Sequence, residues 1–423
     1  MIEIEVQKNK YAYNVYHLVK AFFPGEEVVQ KIDGKQETLV TIRMPGDSCF
    51  SIAPEGSRNP ADRDAQDIQR EKREVTRQVY RILSDYTGRT LAWGMLTGVR
   101  PTKLAMQRLE KETEAGGHPE GDVQEAVVSY LEEEYFVSRE KAVLAYQVAR
   151  REQELLAKLD CRNGFSLYVG IPFCPSVCSY CSFSSSPLEK WKDRVDAYLD
   201  ALIKEIHGLS QMSAGRRLDT VYIGGGTPTT LEPEQLERLL GCISGAFDLE
   251  GTLEFTVEVG RPDSITEEKL AVLKKYPVSR ISINPQTMQQ KTLDLVGRKH
   301  TVKQTEDAFH MARALGFDNI NMDLIAGLPG ETADDMRDTI QQIEKLRPDS
   351  LTVHALAIKR AARMGQEGRT ADLHTEISRM IDDAAAGAAR MGLVPYYLYR
   401  QKNIAGNFEN VGYAKVDKAG IYN

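Results

Sequence analysis

The sequence predicts an α/β protein built on a partial (β/α)6 barrel, with an N-terminal α/β extension domain in front of it. Two observations carry that prediction. Between Leu167 and Val353 six short β-rich runs alternate with helical segments, the pattern of a parallel sheet joined by crossover helices. Six such units make a partial barrel, because a closed one takes eight. The first 160 residues have a different texture, with alternating strands followed by a long helical stretch.

The six runs are Leu167-Tyr-Val-Gly-Ile171, Thr220-Val-Tyr-Ile223, Glu254-Phe-Thr-Val-Glu258, Arg280-Ile-Ser-Ile283, Ile320-Asn-Met-Asp-Leu324 and Ser350-Leu-Thr-Val353. After the first, Val195, Tyr198, Leu199, Leu202, Ile203 and Ile206 recur at helical spacing on one face. Further helices are expected near 232–247, 265–275, 302–315 and 331–346. In the extension, Ile2-Glu-Ile-Glu-Val6 and Glu37-Thr-Leu-Val-Thr-Ile42 alternate as strands do, and a helix is expected near Tyr13 to Phe23. Val75, Val79, Ile82, Leu83 and Tyr86 then mark a helix that stops at Gly88. Helices over 102–114, 121–136 and 138–158 follow, with Ser138 as an N-cap. The expected domains are an extension of unknown role (1–160), the partial barrel (161–360), and a C-terminal helix with the start of a truncated further domain (361–423).

No apolar run approaches the ~20 residues of a membrane-spanning helix, and Met1-Ile-Glu-Ile-Glu-Val6 lacks the basic start and apolar core of a secretory signal. A cytoplasmic protein is expected. The net charge of −7 argues against a broad nucleic-acid surface, which needs clustered Lys and Arg.

Cys174-Pro-Ser-Val-Cys178-Ser-Tyr-Cys181 packs three of the six cysteines into the loop after the first barrel strand. Thiolates are soft ligands for Zn2+ or iron–sulfur clusters. A structural zinc site wants a fourth ligand near the triplet, and the closest downstream histidine is His207. A disulfide would strand one thiol. Three cysteines on a four-iron cluster leave one iron open to bind a substrate.

Other candidates sit where strands end. Gly224-Gly-Gly-Thr-Pro-Thr229 closes the second strand, and its glycines let backbone approach a ligand with N–H and C=O groups free. Glu258 ends the third strand, Gln286 follows the fourth, Arg298 lies beyond it in Gly297-Arg-Lys-His-Thr301, and Asp323 ends the fifth. An aspartate amid Ile320, Met322, Leu324 and Ile325 needs a partner; Arg298 and a ligand hydroxyl are the candidates.

The C-x3-C-x2-C spacing with Tyr180 before the last cysteine resembles the radical S-adenosylmethionine superfamily. Tyr168-Val-Gly-Ile-Pro-Phe-Cys174, the glycine motif, Glu258, Arg280-x-Ser-x-x-x-Gln286, Arg298 and Asp323-Leu-Ile-x-Gly-Leu-Pro329 together resemble one branch, the oxygen-independent coproporphyrinogen III oxidases. The N-terminal extension and Arg-Ile-Ser-Ile-Asn-Pro-Gln are most similar to the Firmicutes-type coproporphyrinogen dehydrogenases. The resemblance covers about 165–355 and implies a radical-SAM-type barrel. It implies a [4Fe–4S] cluster on Cys174, Cys178 and Cys181, whose open iron chelates S-adenosylmethionine and cleaves it reductively to methionine and a 5′-deoxyadenosyl radical. Tyr168, Gly225 and Glu258 would contact that cofactor. Tyr180, Gly226, Thr227, Gln286, Arg298 and Asp323 would line the same cavity, with Ala355 adding a backbone contact.

The implied substrate is coproporphyrinogen III, two of whose propionates become vinyl groups, with flavodoxin or ferredoxin as electron donor. Lys359, Arg360, Arg363, Arg400 and Lys402 are the candidate cations for the propionates. Phe183 stands two residues past the third cysteine, where the best-known oxidases carry a further cysteine and where haem chaperones of the family carry phenylalanine. A haem chaperone, with His354 as a candidate axial ligand, and a radical methyltransferase acting on haem are therefore alternative readings.

Overall fold

The computed structural model describes residues 1–54, 65–98, 100–115, 119–181, 183, 185–357, 362–363, 374–400 and 408–422. Lys359, Arg360 and Lys402 lie outside the described residues. The chain forms two compact units, Met1–Ala149 with Tyr399–Phe408, and Arg150–Leu398 with Glu409–Asn423.

The first unit begins with β1 (Ile2–Val6), α1 (Asn9–Phe22), β2 (Val28–Ile32), β3 (Val40–Arg43) and β4 (Cys49–Ile52), in sheet order β2-β1-β3-β4. β1 pairs parallel with β2 and antiparallel with β3. The alternation read from the sequence holds: Ile2, Ile4 and Val6 face the core, while Glu5 points outward to Arg43 at 3.0 Å. Val15, Leu18, Val19 and Phe22 of α1 cover that face, joined by Val75, Val79 and Leu83 of α2 (Ala65–Thr87). Each such side chain contributes about 1.5–3 kcal/mol when fully buried. Helices α3 (Thr102–Ala115), α4 (Glu120–Tyr135) and α5 (Arg139–Leu156) follow.

The second unit is the expected half-barrel. β5 (Gly164–Ile171), β8 (Arg217–Gly225), β9 (Glu254–Gly260), β10 (Arg280–Ile283), β11 (Ile320–Ala326) and β12 (Ser350–Ala355) lie side by side in chain order, all parallel. Between β5 and β8 run the short strands β6 (Phe173–Cys174) and β7 (Ser186–Pro187), then α6 (Leu188–Trp191) and α7 (Val195–Met212). The later crossovers are α8 (Pro233–Ala246), α9 (Glu267–Lys274), α10 (Gln290–Leu295) with α11 (Val302–Ala314), and α12 (Ala333–Leu346). Glu232, Thr301 and Thr332 cap three of them in reciprocal capping boxes.

Two strands extend the sheet beyond the six expected. After α13 (His374–Arg390), β13 (Val394–Tyr399) and β14 (Asn410–Ala414) complete the order β13-β14-β12-β11-β10-β9-β8-β5, with β14 antiparallel to β12. The chain then crosses the N-terminal ends of the barrel strands. Lys415 Nζ meets Asp349 at 2.7 Å, Lys418 meets Asp318 at 3.0 Å, and the Ile421 amide donates to Glu254. Among the described residues no helix is long and apolar enough to cross a membrane.

Candidate active site

Successive residues of a strand point to opposite faces, so the alternation along β5, β8 and β9 decides what enters the barrel. Leu167, Val169 and Ile171 are buried under the helices, while Tyr168 between them is 50% exposed. Its register partner on β8 is Tyr222, and the two rings stack with centroids 6.0 Å apart. Tyr422 stacks on Tyr222 at 4.7 Å. The Tyr222 hydroxyl donates to Glu258 Oε1 at 2.5 Å. Burial raises the Glu258 carboxyl, the Asp323 charge adds to that, and Tyr222, the Gly225 amide and Arg280 oppose it, leaving it at about 7. The carboxyl is poised to lose its proton when a cation arrives.

The glycine run adjoins this carboxylate. A Cβ on Gly224 would lie 2.9 Å from Glu258 Oε2, and Gly225 has φ +108° with Tyr168 Oη 3.4 Å from where its Cβ would be. The amides are less free than the sequence suggests. Gly226 N–H donates to the Ile171 carbonyl and Thr227 N–H to the Phe173 carbonyl, each at 2.7 Å. The run thus holds the start of the cysteine loop, and Thr227 Oγ1 reaches Cys174 Sγ at 3.6 Å.

The cysteine loop leaves at β6 and returns at β7, which pairs with it through Phe173↔Ser186 and Cys174↔Pro187. All six cysteines of the chain are free thiols, so the triplet is not tied up in a disulfide. Burial, and the charges of the neighbouring thiols, push Cys174 and Cys181 above the ordinary range, so assembling a metal centre here releases protons. Among the described residues no three His, Cys, Asp or Glu side chains converge on a single ion. In a four-iron cluster each thiolate takes a separate iron, so the sulfurs need not meet at one point. Three neighbouring soft donors on one closed loop, opposite a backbone cradle, fit that group.

The second half of the site faces the loop from β10 and β11. Arg298, 5% exposed, donates from Nη1 to the Tyr180 hydroxyl at 3.2 Å and from Nη2 to the Asn284 carbonyl at 2.6 Å. Gln286 adopts φ +69°, a left-handed conformation costing a non-glycine about 1–3 kcal/mol. It is held there by its amide on the Asp323 carbonyl and its carbonyl on the Ile325 amide, both at 2.9 Å. Among the described residues its buried Oε1 has no protein partner, the arrangement expected of an acceptor awaiting a ligand.

Arg298 is not the partner of Asp323. Asn321 Nδ2 donates to Asp323 Oδ1 at 2.7 Å and His354 Nε2 lies 3.8 Å from Oδ2. Burial alone would raise Asp323, but these neighbours outweigh it and hold the carboxyl below its usual range. The correction follows from strand pairing, since Asn321 shares the face of Asp323, whereas Arg298 lies past α10. Ala355 is buried beside β11, its amide donating to Asn410 Oδ1 at 3.0 Å, so a ligand contact there falls to its carbonyl. The candidate cation Arg400 sits in the first unit, where it donates to the Leu96 carbonyl at 2.6 Å and lies over Trp93.

Sequence reading missed three site residues. Tyr222 carries a signal, being in phase with Gly224 on β8. Arg261 carries a weak one, a charge directly after Gly260 where β9 ends. Tyr422 has none.

The radical SAM superfamily model matches residues 168–343. The oxygen-independent coproporphyrinogen-III oxidase-like protein HemZ of Bacillus subtilis is 42% identical over 348 residues, covering 81% of this chain and 68% of HemZ. The heme chaperone HemW of the same organism is 37% identical over 46% of this chain and 51% of its own length. The oxygen-independent coproporphyrinogen III oxidase of Escherichia coli is 34% identical over 44% of this chain and 41% of its own. In structure, the chain is similar to coproporphyrinogen III oxidase HemN from Escherichia coli, a radical SAM enzyme, with TM-score 0.51 and 30% identity over 57% of this chain and 55% of that one. The chain therefore belongs to the radical SAM superfamily, whose cofactors are a [4Fe–4S] cluster and S-adenosylmethionine, in the branch of the oxygen-independent coproporphyrinogen III oxidases and oxidase-like proteins.

Proposed function

We propose that this chain is a radical S-adenosylmethionine enzyme that converts propionate side chains of coproporphyrinogen III to vinyl groups. The observation that carries this reading is the similarity to an oxidase-like protein over 81% of the chain, with the site residues gathered at the strand ends of one half-barrel. When bound, the cluster and S-adenosylmethionine supply a one-electron cleavage that releases a 5′-deoxyadenosyl radical. Cys174, Cys178 and Cys181 are the cluster ligands in this reading. Glu258, with a carboxyl at about 7, accepts from the cofactor's ammonium or ribose, and the Gly225 backbone and Tyr168 ring fix its position. Tyr180, Gly226, Thr227, Gln286, Arg298, Asp323 and Ala355 enclose the remainder of the cavity. Each propionate would lose a β-hydrogen atom, CO2 and one electron, the last to a one-electron acceptor. The reading includes a cytoplasmic protein, a flavodoxin- or ferredoxin-type donor for the cluster, and no nucleic-acid partner.

A haem-chaperone reading is the alternative, favoured by the 37% identity to HemW and by Phe183, which is 72% exposed beside the cysteine loop. Anaerobic reconstitution with dithionite, S-adenosylmethionine and coproporphyrinogen III separates the two. Mono- and divinyl porphyrinogens with CO2 release are expected. Deoxyadenosine without any change in the porphyrinogen overturns the oxidase reading, and tight haem binding with neither product favours the chaperone. Cys178→Ala is expected to fold without taking up the brown cluster.

A further inference from the structure

Arg261 is 4% exposed, and its guanidinium joins two elements far apart in sequence. Gly260, at φ +65°, turns the chain out of β9, and Arg261 returns toward the cysteine loop. Its Nε and Nη2 donate to Asp263 Oδ1 and Oδ2 at 2.9 and 2.7 Å. That bidentate clamp fixes the plane of the guanidinium and aims the remaining nitrogen. Nη1 donates to the Ser176 carbonyl at 2.9 Å and the Ser176 hydroxyl at 2.8 Å, and lies 4.0 Å from Cys178 Sγ. Cys178 is the most enclosed thiol of the three. A surface arginine would hold the loop through Ser176 and leave its charge in water. This one is buried with its charge beside a sulfur.

We propose that Arg261 is a positioning residue of the cysteine loop whose buried charge and N–H, set against the Cys178 sulfur, raise the reduction potential of the cluster. The inference rests on the reading that Cys174, Cys178 and Cys181 carry that cluster. Reduction adds one negative charge to a group already rich in thiolates. A cation and a donor at a ligand sulfur stabilise the reduced form more than the oxidised one, and hydrogen bonds to sulfur with local charge are what set such potentials. Asp263 partly balances the charge but sits on the far edge of the guanidinium, so Cys178 faces the donor side.

The test uses the full chain, reconstituted anaerobically, as wild type, Arg261→Gln and Arg261→Lys. Iron and sulfide content reports loading, and a redox titration followed by electron paramagnetic resonance reports the midpoint potential. Arg261→Gln is expected to load fully and to show at least a tenfold smaller ratio of reduced to oxidised cluster at a fixed ambient potential, a shift of about 59 mV or more to the negative. Arg261→Lys, which keeps the charge without the fork, is expected to recover most of that shift. Full loading of Arg261→Gln at the wild-type potential overturns the proposal, as does a fall in Arg261→Lys as large as in Arg261→Gln. If Arg261→Gln does not load, loading of Arg261→Lys near the wild-type potential supports the proposal. Failure of both variants reduces Arg261 to a scaffold and overturns it. Failure of the wild type to take up iron strikes the underlying cluster reading instead.

Discussion

Removing the Glu258 carboxylate changes the pH dependence of stability in a direction the structure fixes. Burial, with the Asp323 charge, moves this carboxyl from 4.5 in the unfolded chain to about 7 in the fold. Between those values the folded chain holds a proton that the unfolded chain has released. The contribution is therefore fully present below pH 4.5 and is lost as the pH rises through 7. At about 1.4 kcal/mol per pH unit, the move from 4.5 to about 7 corresponds to roughly 3 kcal/mol. Glu258→Gln keeps the shape and an acceptor for Tyr222 but cannot ionise. In urea unfolding of the cluster-free protein, wild type and Glu258→Gln should differ little at pH 5, and the variant should gain up to about 3 kcal/mol relative to wild type by pH 8. The comparison with the variant subtracts every other titrating group. A difference between the two proteins that is the same at pH 5 and pH 8 refutes the reasoning. A corollary touches binding: a cationic ligand that seats against Glu258 should expel its proton. Calorimetry near pH 6.5 in buffers of different ionisation enthalpy would detect that release.

Tyr222→Phe removes the hydroxyl that donates to Glu258 at 2.5 Å, so the carboxyl should rise further and the stability loss above should move to higher pH in the same urea series. A hydrogen bond to a charged group is worth about 1.5–3 kcal/mol. Gly226→Ala puts a methyl 2.5 Å from the Phe173 carbonyl and 2.9 Å from that of Ile171. Since those carbonyls accept the Thr227 and Gly226 amides, they cannot retreat without breaking the loop's anchors. A loss of about 1–3 kcal/mol in stability and a reduced iron content after reconstitution are expected. In the first unit, Arg400→Ala deletes the hydrogen bond to the Leu96 carbonyl and the cation over Trp93. About 1–3 kcal/mol should be lost, with a red shift in the Trp93 fluorescence.

Local rules made much of this molecule legible. β1 and β5 declare themselves because one face is buried, so Ile2, Ile4 and Val6, or Leu167, Val169 and Ile171, alternate with residues that face elsewhere. The six parallel strands follow because helical runs alternate with them, three of those helices opening on capping boxes at Glu232, Thr301 and Thr332. The last two strands give little local sign. β13 contains Pro395, which suits the sheet edge it occupies, and β14 is five residues whose pairing with β12 cannot be inferred from its own composition. The site divides the same way. Cysteine spacing, the glycine run and acids at strand ends are local patterns. The pairing of Asp323 with Asn321 and His354 and the reach of Arg261 back to Ser176 are not, because they depend on which strands become neighbours. Tyr422 enters the barrel only through the path that Lys415, Lys418 and Ile421 take beneath it.

The place of Arg400 in the first unit has a consequence for synthesis on the ribosome. Arg400 and the Leu96 carbonyl it holds are separated by 304 residues. The first unit cannot finish around Trp93 until almost the whole polypeptide has emerged. At 5–20 residues per second, a wait of roughly 15–60 seconds separates the two partners. The edge of β12 waits a shorter time, since β14, which covers it, is translated roughly 3–11 seconds later at the same rate, and over that time β12 presents a row of unpaired amides and carbonyls. The nascent protein is thus most open to misassembly late in translation, and a stalled or prematurely ended chain would carry both defects at once.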